Sequence, residues 1–558
     1  MREPGGKTTG NAGKSAPVYE MLERHAERRM TAFHVPGHKQ RTDWLDEAAD
    51  ARYGPLLALD VTELDDTDDL HHPAGAIAKA QRLAAACFGA EETCFLVGGS
   101  TAGNLAMILG TTAPGDLLIV QRNVHRSIFH GLTLAGVRAV LLQPEIDAGS
   151  GIAVIPAADR VREAAGRYPE ARGVVLSSPN YYGMSGDLRP IADVCHAAGM
   201  PLLVDEAHGA HFGLHPQFPV SALQAGADIV VQSTHKMLGA MTMGAMLHMQ
   251  GAQVDREAVR QALRMVQSSS PSFPLLASLD LARRQVHAGG EAAFAPALAA
   301  AARVRAHLPR TAFRGAVAEN SRGTADDRQA ISQDPLKLML YDARGMQSGF
   351  QLRDELAARN CAIEMADARY AVLAFGIGTR QEDADRLIEA LADMSGSDRP
   401  PQGSTGFAER QASNSAEQPQ AAAAGHEPAS GSDYRHRGIS TERSGGATER
   451  SEMPTEWNRE MTGQNVPLPN RGDAADVPAP ALFSRVFPQT ERVRLEESVG
   501  RIAGEWVVPY PPGIPELYPG EIVTEQAIER LLHWRGQGAQ IQGAEDADLR
   551  YLRVTILS

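Results

Sequence analysis

The sequence predicts an α/β fold built on a doubly wound, mostly parallel sheet flanked by helices, and three observations carry that prediction. Apolar runs of four to six residues recur between residues 93 and 231, each run ends abruptly in polar residues, and helical patterns separate successive runs. Runs that short, without alternation, read as strands buried on both faces. Strands that alternate with helices build a parallel sheet rather than a barrel or a sandwich.

Taken in order, residues 1–15 are Gly, Lys and Thr rich and read as a disordered tail. Pro17 to Met30 carries Val18, Met21 and Leu22 at helical spacing, and Phe33-His34-Val35-Pro36-Gly37-His38-Lys39 reads as a turn centred on Pro-Gly. Gly75 to Phe88 places Ile77, Ala80, Leu83, Ala84 and Phe88 on one helical face. Strands follow at Thr93–Val97, Leu117–Val120, Val137–Leu142, Gly173–Ser177, Pro201–Val204 and Asp228–Val231, with helices at Leu105–Leu109, Ala157–Tyr168 and Ile191–Gly199. A helix at Val254–Val266, a Ser/Pro break and a long Ala/Arg-rich segment, Leu275 to Leu308, complete a major domain at 16–330.

Residues 331–395 read as a smaller α/β domain, with strands at Leu336–Leu340 and Tyr370–Phe375 and helices at Phe350–Arg359 and Glu382–Met394. Between 396 and 480 aliphatic residues nearly vanish in favour of Ser, Gly, Gln, Pro, Glu and Arg. Such a stretch buries too little apolar surface to offset its ordering entropy, so it is predicted to be a disordered linker. Apolar residues return at 481–558, with a Pro-rich rigid loop from Pro509 to Pro515 and a helix at Ile522–Gly536, as expected of a small C-terminal α+β domain.

The composition narrows the function classes. A net charge of −14 over 558 residues argues against nonspecific nucleic-acid binding, which needs basic surface to displace counterions. The four cysteines have no metal-ligand spacing and are too few to staple a chain of this size. No apolar segment approaches a membrane span, and the N-terminal residues lack the apolar core of a signal peptide, so the expectation is a cytoplasmic protein with no membrane partner. The acidic run Asp60 to Pro73 reads as a solvated loop and not a metal site, because the ligand spacing of a calcium loop is absent.

The chemistry concentrates in Met200 to His248. One strand there ends in Asp205-Glu206-Ala207-His208 and the next in Ser233-Thr234-His235-Lys236. Ligands of open α/β sheets sit beyond the carboxyl ends of the strands, so an acid and a lysine can face one ligand. Lys236, followed by the small-residue run Gly239 to Gly244, suits a Schiff-base lysine, and Asp205 suits the partner of a pyridinium nitrogen in pyridoxal 5'-phosphate (PLP). A plain ion pair between strand ends is the rival reading. Gly98-Gly99-Ser100-Thr101 opens a helix, whose free N–H groups suit a phosphate, though Ser and Thr also simply cap helices. His125, at another strand end, is either a satisfied polar residue or a ring stacked on a planar cofactor.

With these residues in view, the chain resembles the Orn/Lys/Arg decarboxylase family of fold-type-I PLP enzymes, closest to its shorter bacterial arginine/lysine decarboxylase-like branch. The resemblance rests on FHVPGHK, TDDLHHP, GGSTAGN, RNVHRS, VDEAHGAHF, STHK, SSSPSFPLLASLD, PYPPGIP and IQGAED. It implies the PLP-dependent transferase (aspartate aminotransferase-like) fold. It also implies Lys236 as the lysine bound to PLP, Asp205 on the ring nitrogen, Ala207 and His125 on the two ring faces, and Ser100, Thr101, Ser233 and His235 around the phosphate. His208 would lie near the ring hydroxyl and the substrate carboxylate, and Ser270 would reach the phosphate of a second copy in a homodimer or higher homo-oligomer. Two departures stand out, Phe273 where the family has tyrosine and methionines after Lys236 where Ser and Gln are usual.

The implied reaction is decarboxylation of a small basic amino acid, arginine first, then lysine or ornithine, to an amine of polyamine biosynthesis. Lys236 or His235 would reprotonate the α-carbon, and Glu521 is a candidate reader of the substrate's distal cation. Another fold-type-I activity, such as an aminotransferase or a carbon–carbon lyase, and a noncatalytic PLP-binding regulator are the alternatives. Intact Lys236, Asp205 and His125 weigh against the regulator.

Overall fold

Alternate residues along the central strands divide between two apolar layers, and this division builds the molecule. In the computed structural model Leu117, Ile119, Val140, Leu142, Val174, Leu202 and Val204 join one core, while Leu118, Val120, Leu141, Val175, Leu203 and Val231 join the other. Successive strand side chains point to opposite faces, so a strand apolar at every position must be covered by helices on both. The structure describes residues 11–317, 331–396, 477–486, 488–510, 513–536 and 538–556. The predicted linker therefore lies, from 397 to 476, outside the described residues, as do the first ten residues of the predicted tail.

The helices are α1 (Pro17–Glu27), α2 (Glu47–Leu57), α3 (Ala76–Phe88), α4 (Gly99–Leu109), α5 (Arg126–Ala135), α6 (Ala158–Arg167), α7 (Arg189–Ala197), α8 (Thr234–Met237), α9 (Arg256–Val266), α10 (Phe273–Gly289), α11 (Ala295–His307), α12 (Gly349–Ala358) and α13 (Gln381–Gly396). The strands up to the same point are β1 (Glu92–Leu96), β2 (Leu117–Gln121), β3 (Arg138–Leu142), β4 (Val174–Ser177), β5 (Met184–Gly186), β6 (Leu202–Asp205), β7 (Ile229–Gln232), β8 (Ala245–Met249), β9 (Phe313–Ala316), β10 (Ile331–Gln333), β11 (Lys337–Asp342), β12 (Met365–Ala366) and β13 (Ala371–Ala374). A short β14 (Ala481–Leu482) follows.

The main sheet has eight strands in the order β1-β8-β7-β6-β4-β2-β3-β14. The pairs from β3 through β2, β4 and β6 to β7 are parallel, as expected, whereas β8 runs antiparallel to both β7 and β1. The strand β8 follows the Gly239–Gly244 run and is fully buried. The chain moves from β2 outward to β3 and then returns to the other side of β2 with β4, which opens the crevice at which such sheets bind ligands.

Several boundaries move. The helix expected at Leu105 begins at Gly99, so Ser100 and Thr101 occupy its first turn. The long Ala/Arg segment is two helices, α10 and α11, separated by a 3-10 turn at Gly290–Phe294. Order begins ahead of residue 16, with a 3-10 turn at Asn11–Lys14. The buried Arg283 guanidinium needs acceptors and takes the carbonyls of Gly13 and Ser15 as well as the Asp280 carboxylate. In the acidic run, Asp68 accepts the N–H groups of Ala74, Gly75 and Ile77 and so anchors the start of α3, and Asp66 pairs with His25 and Arg28. Among the described residues no cluster of three His, Cys, Asp or Glu side chains could hold a metal ion, and no helix is long and apolar enough to cross a membrane.

The smaller sheet, antiparallel in the order β12-β13-β11-β9, accompanies α12 and α13. The C-terminal residues form two antiparallel strand pairs, Thr490–Arg494 with Tyr551–Thr555 and Val508–Tyr510 with Gln540–Gln542, around a helix at Glu525–Gly536. That helix starts three residues later than expected, and its Ala527, Ile528 and Leu531 pack with Leu495, Val507, Leu517 and Leu552 in a separate core.

Candidate active site

Four strand ends converge on one pocket. Gln121 ends β2 and Asn123 follows it, Ser177 ends β4, Asp205 ends β6, and Lys236 lies in the single turn α8 just past β7. With them the pocket is lined by Ser100, His125, Ala207, His208, Tyr181 and, from the C-terminal residues, Ile514. Of the ten residues expected from the sequence, Lys236, Asp205, Ala207, His125, His208 and Ser100 line this pocket.

Asp205 is buried, and its carboxylate is held by two donors. Asn104 Nδ2 donates to Oδ2 at 2.9 Å, and the Ala207 N–H donates to Oδ1 at 3.1 Å. The same Asn104 amide donates to Ser127 Oγ at 2.9 Å, and Ser127 Oγ lies 2.8 Å from His125 Nδ1. Nδ1 also accepts the Ser127 N–H at 3.2 Å, which caps α5 and leaves the ring proton on Nε2. One hydrogen-bonded chain thus fixes both the carboxylate and the imidazole. Burial, aided by the charge of Lys236, pushes the His125 ring down to about 4, so the ring is neutral. Burial pushes Asp205 up, while Lys236 and Asn104 oppose it.

Lys236 Nζ stands 3.0 Å from His208 Nε2 and 5.7 Å from the centroid of the Tyr181 ring. Burial pulls this amine below its usual range, with Lys337 acting in the same direction and Asp205 and Glu364 against it. An amine that loses its proton easily is a nucleophile at neutral pH. His208 is itself buried and is pushed well below its usual range, first by burial and then by the charges of Lys236 and Lys337. Tyr181 packs on it with ring centroids 4.6 Å apart.

Ser233 Oγ donates to Ser100 Oγ at 2.9 Å, joining the end of β7 to the first turn of α4. That turn has no side-chain cap, so its backbone donors are free for an anion. Thr101 is exposed on the same turn, outside the pocket lining. His235 lies outside the pocket lining, its Nδ1 3.0 Å from the Gly244 carbonyl. Ser270 is exposed and also outside the pocket, in the loop before α10, and Phe273 is fully buried in the core.

Glu521 departs from expectation. Its carboxylate is committed to Arg122, whose Nη2 lies 2.9 Å from Oε2 and 3.0 Å from Oε1, so it is not presented to a substrate. The partners lie 399 residues apart, and no local pattern could have linked them. Sequence reasoning also missed Asn104, Ile514 and Lys337 as parts of the site. Lys337 had a signal, since it is the one charge in the apolar run Leu336 to Leu340.

Residues 16–348 match the family model for the Orn/Lys/Arg decarboxylase major domain, and residues 470–546 match that for the Orn/Lys/Arg decarboxylase C-terminal domain. An uncharacterized protein of Bacillus subtilis, YaaO, is 36% identical over 531 residues, 95% of this chain and 96% of that protein. An arginine decarboxylase of Bacillus subtilis is 32% identical over 540 residues, 96% of this chain and 97% of that protein. Among solved structures, the Francisella novicida lysine decarboxylase LdcF shares the fold, with a TM-score of 0.71 at 19% identity over 98% of this chain and 82% of that one. The chain is a decarboxylase that belongs to the Orn/Lys/Arg decarboxylase family.

Proposed function

We propose that the chain removes the α-carboxylate of arginine, with lysine and then ornithine as the next substrates in order, using PLP held in the strand-end pocket. The observation that carries this reading is the convergence of Lys236, Asp205, His125 and Ala207 on one cavity. Relatedness to an arginine decarboxylase across nearly the whole chain supports the choice of substrate.

The residues present fit the cofactor. An aldehyde needs an amine that deprotonates readily, which burial gives Lys236. A pyridine nitrogen needs a fixed carboxylate, and Asp205 is fixed by Asn104 and the Ala207 N–H. A flat ring needs a small residue on one face and a planar one on the other, which Ala207 and His125 offer. A phosphate needs donors, and the first turn of α4 with Ser100, Thr101, Ser233 and His235 supplies them. The bound cofactor supplies a protonated ring that takes up the electron pair left when carbon dioxide departs.

The chain's own residues do the rest. Asp205 keeps a negative charge at the ring nitrogen. Tyr181, His208 and Ile514 wall the pocket and exclude water, which strengthens every charge interaction inside it. The Lys236 amine, 3.0 Å from His208 Nε2, carries the proton that returns to the α-carbon, with His235 as the second donor.

A homodimer, or a higher homo-oligomer, completes the reading. Ser270 is exposed in this chain, as a residue that serves a second copy must be, and Phe33, Val35, Trp44 and Tyr53 expose apolar surface in the N-terminal segment.

Purified protein with PLP, given arginine, lysine and ornithine separately, tests the function. Carbon dioxide and agmatine should form fastest from arginine. Faster release from lysine or ornithine overturns the substrate assignment, and keto acid without carbon dioxide overturns the reaction.

A further inference from the structure

Lys337 opens β11 and is 2% exposed. Its Nζ lies 3.5 Å from His208 Nδ1, at the outer reach of a hydrogen bond, while the other nitrogen of that ring is the one 3.0 Å from Lys236 Nζ. One buried imidazole therefore bridges two buried amines. The backbone behind it is tight. Gly183, at φ +82°, lies so close to Lys337 that a Cβ there would stand 2.6 Å from the lysine's own Cβ. The loop that carries Tyr181 thus packs on the root of the lysine.

The bridge constrains the protons. His208 is neutral, so one ring nitrogen carries a proton and the other a lone pair. An ammonium has three donors and no acceptor, so it can face only the lone pair. The amine that faces the ring N–H must be neutral and accept. Both lysines cannot be ammonium while both contacts are hydrogen bonds.

The surrounding charges favour one arrangement. His208 faces Lys236, Lys337, His125 and His235. Burial pulls Lys337 below its usual range, while Glu364 and Asp334 oppose this and favour its ammonium form. Lys236 faces Asp205 and Glu364, but also the charge of Lys337, which opposes a second ammonium.

We propose that Lys337 is a positioning residue whose ammonium donates to His208 Nδ1, fixes the ring proton on Nε2, and thereby holds the Lys236 amine neutral as the acceptor of that proton. The proposal rests on the reading of Lys236 as the covalent anchor of the cofactor. It gives the small sheet a task in the chemistry of the large one, since the charge that prepares the nucleophile comes from β11.

The test uses cofactor-free full-length protein. Reductive methylation with formaldehyde and cyanoborohydride across a pH series, read by peptide mass spectrometry, gives the pH midpoint at which Lys236 becomes reactive. In Lys337→Met, which keeps the length and removes the charge, the midpoint should move to higher pH, and labelling at pH 7 should slow roughly three- to tenfold. In Lys337→Arg, which keeps the charge, the midpoint should stay near that of the wild type. A second measurement reads the tautomer from nitrogen-15 spectra of histidine-labelled protein, with His208 assigned by the signal lost in His208→Gln. The wild type should carry its proton on Nε2. An unchanged midpoint in a folded Lys337→Met, or a wild-type proton on Nδ1, overturns the proposal, and the wild-type spectrum decides alone if the variant does not fold. Separately, failure of borohydride to fix PLP on wild-type Lys236 overturns the anchor reading and leaves the tautomer result standing.

Discussion

Arg122 and Glu521 meet in a two-pronged ion pair that latches the C-terminal residues onto the strand end carrying His125. The same guanidinium donates to the carbonyls of Pro515 and Glu516 at 2.8 and 2.9 Å, which flank the approach of Ile514 to the pocket. Arg122 also lies over the rings of Tyr518 and Phe129, at 5.2 and 5.8 Å from their centroids. Arg122→Met takes the guanidinium away from a largely buried carboxylate and two carbonyls, and should cost about 3 kcal/mol. Limited proteolysis should then cut the C-terminal residues faster than in the wild type, with turnover falling as the Ile514 wall loosens.

Asp205→Asn keeps the size of the side chain and removes its charge. Cofactor should still bind, while turnover falls by roughly a hundredfold or more, as when a preorganised electrostatic contact is lost. Steady-state kinetics, together with the absorbance of the bound cofactor, separates this outcome from simple loss of binding.

Gly183→Ala joins two penalties at one atom. Its φ of +82° disfavours any L side chain, and the added methyl meets Lys337 at 2.6 Å. Urea denaturation should show a loss of about 2–4 kcal/mol. An alanine tolerated at no cost would mean that the loop does not pack on Lys337 as described.

Buried histidines contribute to the acid sensitivity of the apoprotein, His125 and His248 among them. Burial pushes His125 down to about 4 and His248 down to about 3, so the folded state binds fewer protons than the unfolded one below pH 6.5. Their contribution to stability is complete above pH 6.5 and is lost as pH falls toward 4 and then 3. For His125 alone the loss is about 3 kcal/mol. Urea midpoints measured from pH 7 to pH 4 should fall steadily. In His248→Gln, which cannot take up the proton, the slope should flatten.

The main sheet was legible because a strand covered on both faces must be apolar throughout, and five parallel strands announce themselves that way. The strand β8 was not, since Ala245–Met249 follows a run of glycines and methionines whose composition suggests mobility rather than a buried strand. The Lys236–Asp205 pair was legible as chemistry because both residues interrupt apolar runs at strand ends. Asn104 was hidden in a helix, where an amide signals nothing until the fold brings Asp205 to it. Lys337 and Arg122 were hidden because each finds its partner across more than a hundred residues of sequence.

The pairing of Ala481 and Leu482 with Ala139 and Arg138 covers the outer edge of β3. The ribosome makes β3 early and these two residues late. Until they emerge, the edge shows bare N–H and C=O groups that a second nascent chain can extend, which is how sheets aggregate. A transcript truncated anywhere between Lys236 and Ala481 yields a chain that has its lysine and its acid but lacks the strand that keeps it from pairing with its siblings.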